Sequence, residues 1–188
     1  RRKRYHAPCR VDVQDGDRVL ELGHGHCMHL EDLMAGRSNV RYHGLEISET
    51  MHRSSVEANK HFIAGGQACF SMYDGATLPF TDALFTKVFT VNTLYFWTDP
   101  AALLNELHRV LTPGGRLCVA FADHALRERL PFTSCGFTLY DQAAFAALTG
   151  TSPFGPAIFG SHWEQVTSKD GREVERTYHV ATLTRSRA

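Results

Sequence analysis

The residues best suited to ligand chemistry lie in a glycine-rich turn near the start of the chain. Residues 23–27 are Gly-His-Gly-His-Cys and follow a short aliphatic run. Two glycines separated by one residue let the backbone pass close to a ligand and turn sharply into a helix, whose N-terminal amides then face the bound group. A dinucleotide site would need a further glycine where Met28 stands, which counts against a nicotinamide or flavin cofactor. Glu21, two positions before the first glycine, points instead to a ligand with a cationic amino group.

The elements that must position this turn are short strands alternating with longer helices. Apolar runs predict five strands, over residues 18–22, 40–47, 67–73, 83–91 and 116–121. Helices are predicted over 28–35, after Ser48 as N-cap, and after Asp99 as N-cap with Pro100 in the first turn. Strands alternating with helices of this length require a parallel sheet with right-handed crossovers. The pattern therefore predicts the α/β class, with a Rossmann-like open twisted sheet.

The last third of the chain has a different pattern. A helix is predicted over 141–148, followed by strands over 158–167 and 172–184. Asp170-Gly171 between two alternating runs favours a β-hairpin. The sheet, mostly parallel, is therefore predicted to end in an antiparallel hairpin.

Composition and charge exclude several classes of protein. The chain has 188 residues and a mass of about 21.0 kDa, which is room for one domain. Lys plus Arg equal Asp plus Glu at 20 each, which argues against a general nucleic-acid binder, and the basic run at residues 1–4 fits a solvated tail. The sequence contains no apolar run near the ~18–20 residues of a membrane span and no signal-peptide pattern.

Five scattered cysteines without a C-x-x-C pair predict reduced thiols and a cytoplasmic protein. Because the first residue is Arg1 and not methionine, we expect the sequence to be a fragment that begins downstream of the natural N-terminus.

Four motifs together resemble the class I S-adenosylmethionine-dependent methyltransferases, in particular the small-molecule group that includes the quinone-biosynthesis methyltransferases. Residues 21–27 resemble the E/D-x-G-x-G-x-G loop of that family, with Cys27 at the third glycine. Glu46 stands at the acidic position that ends strand two, and Asp74 at the aspartate after strand three. Residues 91–115 resemble the segment after strand four and the Pro-Gly-Gly turn. The resemblance extends over about residues 15–121 and implies the class I methyltransferase fold.

The resemblance implies S-adenosylmethionine as cofactor and assigns it a set of binding residues. The glycine loop would wrap the methionine part, and Glu21 would help to hold its amino group. Glu46 would accept hydrogen bonds from the ribose hydroxyls, which suits a carboxylate, and Asp74 would contact the adenine amino group. The implied cofactor-binding residues are Glu21, Gly23, Gly25, Cys27, Glu46, Ile47, Asp74, Gly75 and Asn92.

Two positions depart from the family pattern. Cys27 adds a small side chain where the family usually has none, and we expect the site to tolerate it. Thr86 stands where the family commonly has aspartate at the start of strand four, which we expect to cost some stability without affecting the chemistry.

Several residues also have alternative interpretations. His24, His26, Cys27 and His29 are close enough in sequence to suggest a metal site, but side chains at a turn-to-helix junction mostly diverge, so we expect none. Asp-Gly at 74–75 is also good turn chemistry. Residues 95–97, Tyr-Phe-Trp, fit core packing and a wall of the substrate pocket equally well. Residues 92–95, Asn-Thr-Leu-Tyr, differ from the N/D-P-P-Y motif of methyltransferases that act on nucleobase amines, which speaks against a DNA substrate.

The expected activity is methyl transfer to a small-molecule acceptor by in-line displacement, in which the protein aligns the reactants, excludes water and removes a proton where needed. The candidate bases are His124 and Tyr140, with Tyr5 and His6 if the N-terminal segment folds over the cofactor. We expect no nucleic-acid or membrane partner. The alternatives are a non-catalytic module that binds S-adenosylmethionine or S-adenosylhomocysteine, and a different nucleotide-binding enzyme.

We expect a single domain over residues 1–188. A tail or remnant of an N-terminal lid would occupy 1–15, a cofactor-binding core 16–121, and a substrate-side insertion with the C-terminal hairpin 122–188.

Overall fold

The computed structural model describes residues 11–122, 138–167 and 173–187. Within these residues the strands are β1 (Arg18–Leu22), β2 (Arg41–Glu46), β3 (Ala68–Met72), β4 (Phe85–Val91), β5 (Leu111–Ala122), β6 (Ile158–Thr167) and β7 (Glu173–Thr184). The helices are α1 (Leu30–Met34), α2 (Glu49–Ala58), α3 (Lys60–Ala64), α4 (Pro100–Val110) and α5 (Gln142–Gly150), with a short 3₁₀ turn over Leu94–Phe96.

One seven-stranded sheet has the order β3-β2-β1-β4-β5-β7-β6. The first five strands in this order are parallel, and β7 and β6 complete the sheet in antiparallel pairing. This confirms the predicted α/β fold with an antiparallel end. The predicted hairpin turn at 168–171 lies outside the described residues, but Thr167 pairs with Glu173, as a hairpin requires.

Both faces of the sheet are covered, because each strand of its centre contributes to two cores. Val19 and Leu20 are adjacent in β1 and fully buried, yet they belong to opposite clusters, since side chains alternate across a strand. On one side α4 contributes Leu104 and Leu107. On the other side, α1 contributes Leu30. Such two-sided burial is typical of parallel sheets.

The two N-caps predicted at Ser48 and Asp99 are present in the structure. Ser48 caps α2 by accepting a hydrogen bond from the Met51 amide at 3.4 Å, and Asp99 caps α4 by accepting one from the Ala102 amide at 2.9 Å. The first helix, α1, is shorter than the predicted 28–35, and Met28 before it is 69% exposed. Without burial of Met28, the helix gains little from extending back to it.

Thr86 joins two strands at the amino end of the sheet. Its hydroxyl lies 2.7 Å from Asp17 Oδ1, to which it donates, and accepts a hydrogen bond from the Arg18 amide at 3.1 Å. The threonine therefore connects β4 to the start of β1. Whether it costs stability relative to aspartate stays a prediction.

Among the described residues, no helix is both long enough and apolar enough to cross a membrane.

Candidate cofactor-binding site

A cavity of about 300 Å³ opens at the carboxyl ends of β1, β2 and β4. The chain runs outward from β1 to β3 and then returns to β4 on the other side of β1, so this is the point where the strand order reverses. Open α/β sheets bind ligands at this position. The lining residues are Gly23, Glu46, Ile47, Ser48, Tyr73, Gly75, Val91, Asn92, Thr93, Phe96 and Trp97.

Gly23 forms the floor of this cavity and has no room for a side chain. Its φ is +68°, and a Cβ atom there would lie 2.4 Å from Cγ2 of Thr93. Its amide donates to the Leu45 carbonyl at 2.7 Å, which ties the turn to the end of β2. The predicted need for glycine at this position is thus explained by contact with a neighbouring loop as well as by backbone conformation.

Glu46 lines the cavity and is also hydrogen-bonded to the glycine loop. It is buried, and its Oε2 accepts a hydrogen bond from the Gly25 amide at 2.8 Å. Its Oε1 accepts from the amides of Ile47 and Ser48, at 2.9 and 3.1 Å. A carboxylate offers about four acceptor positions, so Oε2 keeps capacity for a ligand hydroxyl. The three amides hold the carboxylate rigidly at the cavity rim.

Glu21 lies behind the loop and not in the cavity lining. Its Oε2 accepts hydrogen bonds from the Tyr42 hydroxyl at 2.5 Å and from His29 Nε2 at 2.8 Å. The Cys27 sulfur lies 3.2 Å from the Tyr42 oxygen, and since the phenol proton points to Glu21, the thiol donates. We call Glu21, Cys27, His29 and Tyr42 the Glu21 cluster.

The Glu21 cluster is electrostatically polarised by its buried carboxylate. Burial and then the charge of Glu21 raise the pKa of Tyr42 and of Cys27, so both stay protonated at neutral pH. For His29, burial acts to lower the pKa, but the charge and hydrogen bond of Glu21, with a further contribution from Asp32, more than offset it and the pKa is raised.

The residues considered as metal ligands do not all diverge as expected. Cys27 has a φ of +48°, which turns its thiol inward, and with His29 it converges on Glu21. His24 instead packs edge-on against Phe70 with ring centroids 5.0 Å apart, and His26 Nδ1 lies 2.9 Å from the Ser54 hydroxyl. The local positive φ decides this convergence, and residue types alone do not reveal it.

Asp74 and Gly75 have separate roles in the structure. Gly75 lines the cavity, whereas Asp74 is exposed and its Oδ1 accepts from the amides of Ala76 and Thr77, at 2.8 and 2.7 Å. Those two bonds lower the pKa of Asp74. In the structure this aspartate forms the turn, which was the alternative interpretation, and its predicted adenine contact stays a prediction. Tyr73 lines the cavity beside it, and burial followed by the charges of Glu46 and Asp74 raises its pKa to about 12.

The aromatic residues after β4 divide between the core and the cavity. Tyr95 is buried, and its hydroxyl accepts from the Ala122 amide at 2.5 Å. Phe96, 54% exposed, and Trp97 line the cavity. Asn92 also lines it, and its φ of +57° bends the chain away from β4.

Thr93 is a site residue that the sequence did not indicate. Its hydroxyl accepts from Trp97 Nε1 at 3.2 Å and bonds to the Thr90 hydroxyl, which donates to the Leu22 carbonyl at 2.9 Å. This chain of hydrogen bonds orients the Thr93 methyl group against Gly23. Threonine carries no motif signal here, and only the fold places it beside the glycine.

The loop that carries Tyr73 and Gly75 is fastened to α4 by Arg109. Its guanidinium donates to the carbonyls of Phe80 and Leu78, at 2.7 and 3.1 Å, and pairs with Glu106 through Nε at 2.7 Å. Hydrogen bonds with Glu106 raise the Arg109 pKa further, and the same contact lowers the pKa of Glu106. Arg109 therefore holds in place the loop whose residues Tyr73 and Gly75 line one side of the cavity.

Of the predicted candidate bases, Tyr140 lies within the described residues, and it does not line the cavity. Tyr140 packs against the core beside Phe145, with ring centroids 6.3 Å apart, and burial raises its pKa. His124, Tyr5 and His6 lie outside the described residues. Their catalytic roles stay predictions.

The fold and this cavity define an open α/β protein with a cavity at the switch point of its sheet. Comparison of the sequence with known proteins identifies the family to which the chain belongs. Residues 20–119 match the family described as a methyltransferase domain, and the chain belongs to that family. It is 29% identical over 110 residues to the putative methyltransferase YrhH of Bacillus subtilis, covering 58% of this chain and 60% of that protein. It is 32% identical over 112 residues to the 27-O-demethylrifamycin SV methyltransferase of Amycolatopsis mediterranei, covering 58% and 40%. The matched segments thus span about half of these relatives' lengths.

A solved structure shows the same fold over nearly the whole chain. The S-adenosylmethionine-dependent methyltransferase of Aquifex aeolicus superposes with a TM-score of 0.68 at 17% identity, covering 92% of this chain and 84% of that one. The chain thus belongs to the methyltransferase-domain family and shares the fold of that enzyme, whose cofactor is S-adenosylmethionine.

The described residues fit that cofactor. The space beside Gly23 is filled by the Thr93 methyl group, whereas the backbone at Gly25 has open space around it that a ligand can approach. The rigid buried carboxylate of Glu46 offers an acceptor at the rim. The aromatic rings of Tyr73, Phe96 and Trp97 offer apolar surface for a base.

Proposed function

We propose that this protein transfers a methyl group from S-adenosylmethionine to a small-molecule acceptor. The observation that carries the proposal is Glu46, buried at the end of β2, fixed by three backbone amides and facing a cavity floored by Gly23. The small-molecule class is supported by the balanced charge of the chain and by its similarity to a rifamycin methyltransferase.

Each part of the cofactor would meet a different element. Glu46 would hold the ribose, and the turn at Gly23 and Gly25 the amino-acid part, with Gly75 and Asn92 completing the lining. Ile47, 55% exposed at the cavity, would cover one face of the base. Asp74 would reach the base only if its side chain left the turn that it now closes.

The bound cofactor supplies a methyl group already activated by its positive sulfur. The chain therefore has to align the reactants and exclude water, since a well-placed pair of reactants accounts for a large part of the barrier reduction. Trp97 and Thr93, locked by their hydrogen bond, provide a rigid wall for this alignment.

Among the described residues, Cys27, Cys69 and Cys118 are free thiols, and the reducing environment predicted from the cysteines stays a proposal. A cytoplasmic location and the predicted domain boundaries stay proposals.

Calorimetric titration with S-adenosylhomocysteine and with NAD tests the cofactor assignment. We expect one-to-one binding of the first and no comparable binding of NAD, because Met28 replaces the dinucleotide glycine. A preference for NAD would overturn the proposal. Turnover of labelled S-adenosylmethionine with a panel of phenols, amines and thiols then separates the enzyme from the alternative, a binding module without catalysis.

A further inference from the structure

Behind the glycine loop, the carboxylate of Glu21 is bonded to the imidazole of His29. Glu21 is only 3% exposed, and its partner His29 is bonded to it at 2.8 Å. A second carboxylate, Glu46, stands at the cavity rim, and both carboxylates act on His24 in the loop between them. Carboxylates therefore lie both at the rim of the cavity and behind the glycine loop, and His29 is a basic side chain in contact with Glu21.

The groups that face His29 come from every element around it. Glu21 faces it from β1, Asp32 from the helix α1 that His29 precedes, and the uncharged ring of Phe89 from β4, with centroids 6.2 Å apart. Tyr42 of β2 and Cys27 of the loop reach it only through Glu21, and both stay protonated because their pKa values are raised. Near neutral pH, His29 is thus the member of this group whose charge changes.

The two ligands of the proposed reaction differ in charge. S-adenosylmethionine carries a positive sulfur, which S-adenosylhomocysteine lacks. A protonated His29 neutralises Glu21, whereas a neutral His29 still donates its hydrogen bond but leaves the carboxylate charge uncompensated. The field at the loop thus favours the more positive ligand more strongly once His29 has lost its proton.

We propose that His29 is a positioning residue which, through Glu21, makes the preference of this site for the sulfonium cofactor over the thioether product depend on pH. The inference rests on the proposed use of S-adenosylmethionine. The preference rises as pH rises, and because burial is more than offset by Glu21 and the His29 pKa is raised from 6.5, the change falls above pH 6.5.

The test is the ratio of dissociation constants for S-adenosylhomocysteine and S-adenosylmethionine, measured by calorimetry from about pH 6 to about pH 8.5. In the parent we expect this ratio to rise about three- to tenfold, the size that one charge exerts across a partly hydrated gap. In His29→Gln, which keeps an N–H donor for Glu21 without a titratable charge, the ratio should stay flat at the high-pH value of the parent. Titration of each ligand's own ammonium group is common to all variants and cancels between them.

His26→Gln is the matched control, because His26 lies on the same loop but contacts Ser54 instead of Glu21. It should keep the pH dependence of the parent. A flat ratio in the parent, or a slope that survives in His29→Gln, would overturn the inference while leaving cofactor binding intact. Absence of binding by either ligand at every pH would overturn the proposed function as well.

NMR titration of the His29 ring in the parent keeps the test independent of whether the variant folds. Its midpoint should coincide with the midpoint of the affinity ratio, and a clear separation of the two midpoints would contradict the proposal.

Discussion

At the residue scale, Glu46 is the side chain on which cofactor binding is expected to depend most. Replacing it with alanine should weaken binding of S-adenosylhomocysteine by about 1.5–3 kcal/mol, the scale of hydrogen bonds to a charged acceptor. Some loss of stability should accompany this, because the Gly25, Ile47 and Ser48 amides lose their acceptor. Calorimetry and thermal unfolding measure the two effects separately.

Glu49→Ala is the control for that substitution. Glu49 is exposed in the first turn of α2 and pairs with the exposed Arg53 at 3.5 Å, so its loss should change neither quantity by more than a few tenths of a kcal/mol. If Glu46→Ala binds the ligand as tightly as the parent does, the ribose has been assigned to the wrong residue.

Gly23 permits a separate test of the cavity floor. Gly23→Ala should abolish measurable binding and destabilise the fold, because its Cβ would lie 2.4 Å from the Thr93 methyl carbon and φ is +68°. Gly36→Ala is the control, because Gly36 also has a positive φ, +74°, but an added Cβ would have open space around it. Its loss in free energy of unfolding therefore measures the cost of the backbone conformation alone, about 1–2 kcal/mol. The double variant Gly23→Ala with Thr93→Ser, which removes the colliding methyl group, should regain part of the binding. If the two alanine variants behave alike, the collision is not the cause.

Cys27 tests the loop conformation. Its φ of +48° favours glycine, but its buried thiol bonds to Tyr42, so the side chain does not crowd the cavity. Cys27→Gly should leave cofactor affinity unchanged and be more stable than Cys27→Ala by about 1 kcal/mol, since both variants lose the thiol but alanine alone keeps the strain of the positive φ. Cys27→Phe should abolish binding, because a ring has no space in this buried position. Stoichiometric zinc in the parent that disappears in Cys27→Gly, together with lost affinity, would instead favour a metal site.

At the element scale, the loop between β3 and β4 owes its position to α4. Arg109→Met removes the hydrogen bonds to the Phe80 and Leu78 carbonyls and the pair with Glu106. We expect a loss of about 1–2 kcal/mol in the free energy of unfolding, faster hydrogen exchange over residues 73–84, and several-fold weaker cofactor binding. Arg53→Met, which removes an exposed pair within α2, is the control. Unchanged exchange in this loop would mean that other contacts hold it.

At the scale of the whole molecule, histidines buried without charge make folding depend on pH. Burial lowers the pKa of His24 and of His43 below 6.5, so the unfolded chain binds more protons than the folded one as pH falls below that value. Their contribution to stability is complete above pH 6.5 and is lost on acidification, at up to about 1.4 kcal/mol per pH unit for each group. Urea unfolding at several pH values measures this slope.

His24→Asn should reduce the acid sensitivity. Asparagine can still donate to the Gly25 carbonyl, which His24 Nδ1 contacts at 2.9 Å, but it carries no titratable group. A slope as steep in His24→Asn as in the parent would assign the effect to other histidines.

The sequence alone determined the order and type of the strands and of the longer helices, the two capped helices at Ser48 and Asp99, and the loop around Gly23, but not the short helix α3. These features are local: periodicity, caps and glycine spacing act within a few residues along the chain. For the same reason the sequence placed Glu46 correctly at the end of its strand, next to the cavity.

Only the tertiary structure decided which side chains meet. Asp74 closes a turn, Tyr95 enters the core while Phe96 and Trp97 reach the cavity, and Thr93 reaches Gly23 across 70 positions of sequence. Glu21 likewise finds Tyr42 and His29 through the parallel pairing of β1 with β2 and the inward turn at Cys27. Such contacts depend on strand register and on single backbone angles. These are set when the whole core packs, because the interactions within a short segment are too weak to select one register or one backbone conformation.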